Sequence, residues 1–281
     1  KVGKNYDFTA NFGHTREYNS SLLDKKKNIS YLFSKFAADL DIENFNSSKL
    51  TLNIEKVTDD TFLKIFDANL LNETSSLKPK NPNILSSELE LILDHENFDL
   101  TTGFQSFENL QLANSDRHEF ILPYFNFEKN LFPNLKNGSV TFQSNGSNNL
   151  NNTNQLKSQV INNINYSSLS YFSSKGIKNN FNVNIKNLNS MGKNISKYKS
   201  SPQIELSTIL EFNSSIPLKK ETKKYLNFIT PKLSFKVNPG DMKNYNTDKR
   251  SITTENIFSL DRLGLNDSLE SGRSLTLGID Y

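Results

Sequence analysis

The sequence predicts an all-β protein, an antiparallel up-and-down transmembrane β-barrel segment of about a dozen strands, and three observations predict it. Polar and apolar residues alternate from one end of the 281-residue chain to the other, which is the period of strands whose two faces meet different solvents. Mean hydropathy is low, -0.59, yet 21 Phe and 10 Tyr supply more aromatic surface than a disordered chain carries. The connections between alternating runs are unequal, some needing only a turn and others running far longer.

In order along the chain, residues 6–12, 31–42, 49–57, 87–95, 98–107, 120–128, 139–145, 156–166, 181–188, 203–212, 231–237 and 274–281 read as strands. In "KLTLNIEKV" one face carries Leu50, Leu52 and Ile54 and the other Thr51, Asn53 and Glu55. In "SELELILDH", Leu89, Leu91 and Leu93 oppose Glu88 and Glu90. Helical periodicity is scarce: "DTFLKIFDANLL", with Asp60 placed to cap it, fits a short loop helix or another strand equally. Asn46-Ser47-Ser48 and His95-Glu96-Asn97 read as tight turns after even-numbered strands. The long connections, residues 59–83 and 238–273, follow odd-numbered ones. "SNGSNNLNNTN" and "KNLFPNLKNG" read as intermediate loops of similar length. An up-and-down sheet then has short turns at one rim and long loops at the other, as transmembrane barrels do. A large soluble β-sandwich or solenoid also has alternating strands and is the competing architecture.

Composition narrows the function. The net charge is +3 with a pI near 8.8, and the lysines are scattered, so the basic stripe of a nucleic-acid binder is missing. There is no cysteine, hence no disulfide framework or thiolate metal site within these residues. No apolar run reaches the roughly 18 to 20 residues of a membrane-spanning helix. The opening "KVGKNYDFTA" has neither an initiator Met nor a signal-peptide core and reads as a cut start. The Asn-x-Ser/Thr triplets, such as those at Asn46 and Asn213, are expected by chance in an Asn- and Ser-rich chain.

Three stretches carry a family resemblance. "LTLNIEKVTDDTFLKIFD", "HENFDLTTGFQSFENLQL" followed by "RHEFILPYFNF", and "LDRLGLNDSLESGRSLTLGIDY" resemble consecutive parts of the barrel of the LptD family of outer-membrane lipopolysaccharide-assembly proteins. The features that carry it are Asp59-Asp60 before an aromatic-rich stretch, Pro123-Tyr124, and Asp261-Arg262 followed by Gly272 and Gly278. The resemblance implies that residues 1–281 are part of one outer-membrane barrel domain of a Gram-negative bacterium. It implies a barrel of about 26 strands that transports lipopolysaccharide and inserts it into the outer leaflet. An LptE-like lipoprotein plug would fill it and a periplasmic LptA-like bridge would feed it. The family's N-terminal periplasmic jellyroll and closing strands lie outside the segment on this reading. A porin-like or receptor barrel of another family, or a secreted β-rich adhesin or binding module, are the other functional readings.

Function would then be spread along a surface. Lys232, Ser234, Lys236, Thr276 and Asp280 are expected to face the lumen, and Leu233, Phe235, Val237, Leu275, Leu277 and Ile279 to face lipid. Neither a catalytic residue nor a cofactor is expected. His14, His95 and His118 are expected in separate turns or loops, without a second His at ligand spacing. Asp59-Asp60 and Asp261, Asp267 and Glu270 match no calcium-loop pattern. Arg262 is expected to order the long loop before the last strand by pairing with Asp261.

Overall fold

Alternating β-branched, aromatic and leucine positions with polar neighbours favour extended backbone, because each residue pair can satisfy two different surroundings. The computed structural model describes residues 5–19, 25–64, 77, 79, 81–113, 116–133, 135–221, 225–243 and 251–281. Among them lie fourteen strands: β1 (Asn5–Tyr18), β2 (Lys27–Asp39), β3 (Phe45–Val57), β4 (Ile84–His95), β5 (Phe98–Asn109), β6 (His118–Asn130), β7 (Gly138–Asn151), β8 (Gln155–Ser168), β9 (Tyr171–Phe172), β10 (Lys178–Lys193), β11 (Gln203–Ser215), β12 (Leu218–Glu221), β13 (Leu226–Asn238) and β14 (Gly272–Asp280). They form one antiparallel sheet in the order β1 to β8, β10, β11, β13, with β14 beside β13. The sheet is not closed: β1 pairs only with β2, and β14 only with β13. All twelve strands expected from the sequence are present. The two short strands were not expected. β9 pairs with the start of β10, and β12 continues the pairing of β11 with β13 beyond Pro217.

The chain forms two compact units, Lys1–Phe127 with Gly146–Ser158 and Met191–Ser200, and Glu128–Asn145 with Gln159–Ser190 and Ser201–Tyr281. In the first unit the register places Phe8 opposite Phe36, Phe12 opposite Leu32, and Leu52 opposite Leu89, which in turn faces Phe104. This apolar face is exposed, with Phe12 at 78%. A dry cluster of Ile29, Phe33, Val57, Phe62, Leu63, Leu77, Leu85 and Leu110 forms where residue 58 onward leaves β3. Ion pairs tie that departure down: Lys27 Nζ to Asp59 at 2.9 Å and Arg117 to Asp60 at 2.7 Å.

Several expected details fall elsewhere. Asn46-Ser47-Ser48 is not a turn but part of β3, and the chain reverses at residues 40–44, where Asp41 and Asn44 take the positive φ that a tight reversal needs. Most of "SNGSNNLNNTN" is also strand, leaving only residues 152–154 as a turn, with positive φ at Asn152 and Thr153. Cross-strand hydrogen bonds compensate for the low β-propensity of that stretch. Asn148 Oδ1 accepts from Ser158 Oγ at 2.6 Å in one unit, and Asn162 Oδ1 accepts from Ser144 Oγ at 2.7 Å in the other. The loop after β7 is therefore short although it follows an odd-numbered strand, so the sorting of loop lengths by rim is incomplete. The two longest connections, after β3 and β13, do both follow odd-numbered strands of the meander. Of the ambiguous helical stretch, residues 62–64 make one helical turn, and 65–71 lie outside the described residues. His14 lies inside β1, not in a loop, while His118 opens β6 and His95 closes β4.

On the polar side of the first unit, Tyr124 Oη donates to Glu88 at 2.9 Å and Glu90 at 3.1 Å. The Tyr124 ring lies over Gly103, where an added Cβ would come within 2.3 Å of the Leu89 carbonyl and 2.9 Å of Tyr124 Oη. Gly103→Val is expected to destabilise the fold by about 1 to 3 kcal/mol through this overpacking, read as a lower unfolding temperature. An unchanged midpoint would show that the strands yield there.

Candidate functional site

The second unit reverses the usual arrangement of a water-soluble protein. In β13, Ser234 is fully buried and Lys236 is 5% exposed, whereas Phe235 between them is 44% exposed. In β14, Thr276 is buried, whereas Leu275, Leu277 and Ile279 are exposed, Leu277 at 71%. Soluble proteins bury Leu and Ile and almost never bury Lys and Glu unless paired. Register fixes which residues share a face. Ser234 stands opposite Thr276, Lys236 opposite Ser274 and Glu211; Phe235 stands opposite Leu275 and Phe212, and Leu233 opposite Leu277. The eleven residues picked from sequence thus divide by register into one polar and one apolar row. Ser234, Lys236 and Thr276 are brought together under cover. Lys232 and Asp280, nearer the other end of the strand pair, form an ion pair with Asp280 exposed. Leu233 and Val237 are half-buried beside the more exposed Phe235.

Glu211 is the hub of the polar face. Its carboxylate takes the Lys236 ammonium at 3.3 Å and the Ser234 hydroxyl at 3.1 Å on Oε1, and the amides of Asn182 at 2.7 Å and Asn213 at 2.8 Å on Oε2. Such a set satisfies a buried carboxylate that would otherwise be too costly to keep ionised.

What covers this face is the connection from β13 to β14. Strand side chains donate to its main-chain carbonyls: Lys186 Nζ to Leu265 at 2.9 Å and Ser268 at 3.2 Å, Lys236 Nζ to Ser259, and Asn238 Nδ2 to Glu270 at 2.8 Å. Leu265 and Leu269 of the connection are buried. The Phe258 ring packs on Gly278, where an added Cβ would come within 2.7 Å of it. Arg262 closes the connection on itself through a two-pronged ion pair with Glu270, not with Asp261 as expected. That hydrogen bond raises the already high Arg262 pKa. Asp261 instead accepts the Gly264 amide at 3.2 Å. Burial pushes its carboxyl pKa up, against the opposing pull of the Lys186 charge and the Gly264 and Leu263 amides.

The sequence reading missed Glu211, Asn182, Lys186 and Asn238. The signal was available: Glu205, Ser207 and Glu211 alternate within "QIELSTILEF", and Asn182, Asn184 and Lys186 within "FNVNIKNL". The carbonyl acceptors could not have been found, because main-chain atoms carry no residue signature.

The histidines are occupied separately in the first unit. His14 Nδ1 bonds Ser30 Oγ at 2.7 Å, the His95 ring stacks on Phe98 at 4.8 Å, and His118 stacks on Phe120 at 5.8 Å. Asp59 caps the turn after β3, accepting from Thr61 N at 2.9 Å and Thr61 Oγ1 at 2.6 Å. Burial opposes its ionisation, but the Thr61 and Lys27 hydrogen bonds outweigh burial and hold its pKa below the ordinary value.

Two predictions follow from this geometry. Glu211→Ala strands the buried Lys236 ammonium and is expected to cost about 3 to 5 kcal/mol. Replacing the pair together by Leu and Met is expected to recover most of that, and a double-mutant cycle in urea measures both. Asp59 has a depressed folded pKa, so its stabilisation is complete above about pH 4 and is lost as pH falls through the folded value. Asp59→Asn is expected to flatten the acid limb of the stability profile; an unchanged limb would contradict the assignment.

The sequence model of the family described as LPS transport system D matches residues 27–281. No curated protein matches the chain. With a match over most of its length, and with one open antiparallel sheet of the kind a partial barrel requires, the chain belongs to the LptD family of lipopolysaccharide-transport proteins.

Proposed function

We propose that the strands cross the outer membrane of a Gram-negative bacterium and that the protein delivers lipopolysaccharide into the outer leaflet. The apolar row of Leu233, Phe235, Val237, Leu275, Leu277 and Ile279 faces lipid. The polar row of Lys232, Ser234, Lys236, Thr276 and Asp280 faces a wet interior. One observation carries the reading: Ser234, Lys236, Glu211 and Thr276 at the centre of the polar face are buried, while Phe235, Leu275, Leu277 and Ile279 on the apolar face are exposed. In water each such side chain would forgo about 1.5 to 3 kcal/mol of burial; in hydrocarbon it forgoes nothing. The same observation weighs against a secreted adhesin, whose strands would close their apolar faces on each other.

Aromatic placement also supports the reading. In the first unit Phe45, His95, Phe98 and Phe127 make ring contacts of 4.8 to 5.9 Å beside the turns that follow β2 and β4. In the second, Tyr171, Phe181 and Phe212 do so at 5.0 to 6.1 Å beside the connections that follow β8 and β11. Aromatic girdles of this kind mark the membrane–water interfaces of barrels. A polar interior gives the phosphorylated sugar of lipopolysaccharide a hydrated path while its acyl chains leave through the bilayer side. An LptE-like plug and a periplasmic LptA-like bridge are the partners this role calls for.

Leu277→Arg in the intact protein is expected to cost about 2 to 4 kcal/mol of folding stability in phosphatidylcholine vesicles if the residue sits near mid-bilayer. Folding in lipid that is indifferent to the arginine would remove the membrane-facing assignment.

A further inference from the structure

One edge of the second unit carries a feature that lipopolysaccharide transport does not require. Three segments meet there: the turn from β6 to β7, the segment holding β9, and the β12–β13 ladder. The Leu169 amide donates to the Asn137 carbonyl at 3.0 Å, joining the first two, and Lys178 stands opposite Ser215 at the end of β11, from which the third departs. Six exposed lysines lie on these segments: Lys129, Lys136, Lys175, Lys178, Lys219 and Lys220. The acidic groups at the same edge are fewer. Glu128 accepts from Gln143, Glu221 pairs with Lys219, and Asp280 pairs with Lys232. Large apolar side chains are interleaved with the lysines, and Phe132, Phe172, Leu218 and Phe228 are each more than half exposed.

The enrichment is local. In the first unit the ends of β2 and β4 and the turns that follow them carry Asp39, Asp41, Glu43, Asp94 and Glu96. A general excess of lysine in the chain therefore does not account for the basic edge.

Exposed rings beside exposed ammonium groups at strand ends suit one environment in particular. The rings enter the acyl boundary while the ammonium groups, on long apolar stems, reach the phosphates above it. We infer that this edge of the protein is a docking surface for the phosphodiester headgroups of a phospholipid leaflet, with preference for anionic lipid. The inference rests on the membrane-spanning reading. A lysine near an anionic bilayer surface contributes attraction that adds over several residues and fades with salt. Six lysines on one edge supply the preference, and the rings set the depth.

The test uses the intact protein reconstituted into vesicles of equal phosphatidylglycerol and phosphatidylcholine, extracted gently, with retained lipid quantified by mass spectrometry. Phosphatidylglycerol is expected to be enriched by at least about threefold at low salt. The variant with all six lysines changed to Gln is expected to lose the enrichment, while the all-Arg variant keeps it. Enrichment absent from the unaltered protein, or undiminished in the Gln variant, overturns the inference and leaves the membrane reading standing. A protein that enters neither lipid overturns the membrane reading and this inference with it.

Discussion

The buried ion pair between Lys236 and Glu211 sets the terms for the second unit, because two opposite charges withdrawn from water demand a full complement of partners. Ser234, Asn182 and Asn213 complete the carboxylate, and the Ser259 carbonyl completes the ammonium. Once that face is polar and closed, the period of the strand leaves Phe235, Leu275 and Leu277 on the other side, exposed among the described residues. On the proposed function, that exposed apolar row meets the hydrocarbon of the membrane, where its exposure costs nothing.

The β13–β14 connection shows how a long segment can be held against a polar wall without much sequence of its own. Lys186, Lys236 and Asn238 reach up from the strands to carbonyl groups that any residue supplies. Among the connection's described residues, side chains contribute as well: Met242, Leu265 and Leu269 are buried, Arg262 with Glu270 forms an internal clasp, and Phe258 lies over Gly278. The connection after β3 is secured differently, by ion pairs from Asp59 and Asp60 and by a small dry cluster. Each long loop thus has its own anchoring chemistry.

Much of this was legible in the sequence. Period-two alternation located the twelve long strands and divided the β13 and β14 residues into two rows, because burial on only one kind of face leaves a trace at every second position. Turn chemistry was less legible. Asn46-Ser47-Ser48 and the run from Ser144 to Asn151 look like loop, yet both are strand, since amide and hydroxyl groups that favour turns alone can also bond across a ladder. The Arg262 partner was misjudged because sequence adjacency suggested Asp261, whereas the fold returns Glu270 to within reach. The carbonyl acceptors that the connection offers to the polar face left no trace, because main-chain atoms carry no residue signature.

The most direct measurement is a cysteine scan, to which residues 1–281 contribute no Cys of their own. Single Cys residues at positions 274 to 279, spin-labelled in the membrane-reconstituted protein, report collision with oxygen, which concentrates in hydrocarbon, and with a water-soluble nickel chelate. Oxygen accessibility is expected to peak at 275, 277 and 279 and to fall at 274, 276 and 278. A flat profile, or one in which the nickel chelate reaches 275, 277 and 279 best, would contradict a lipid-facing apolar row.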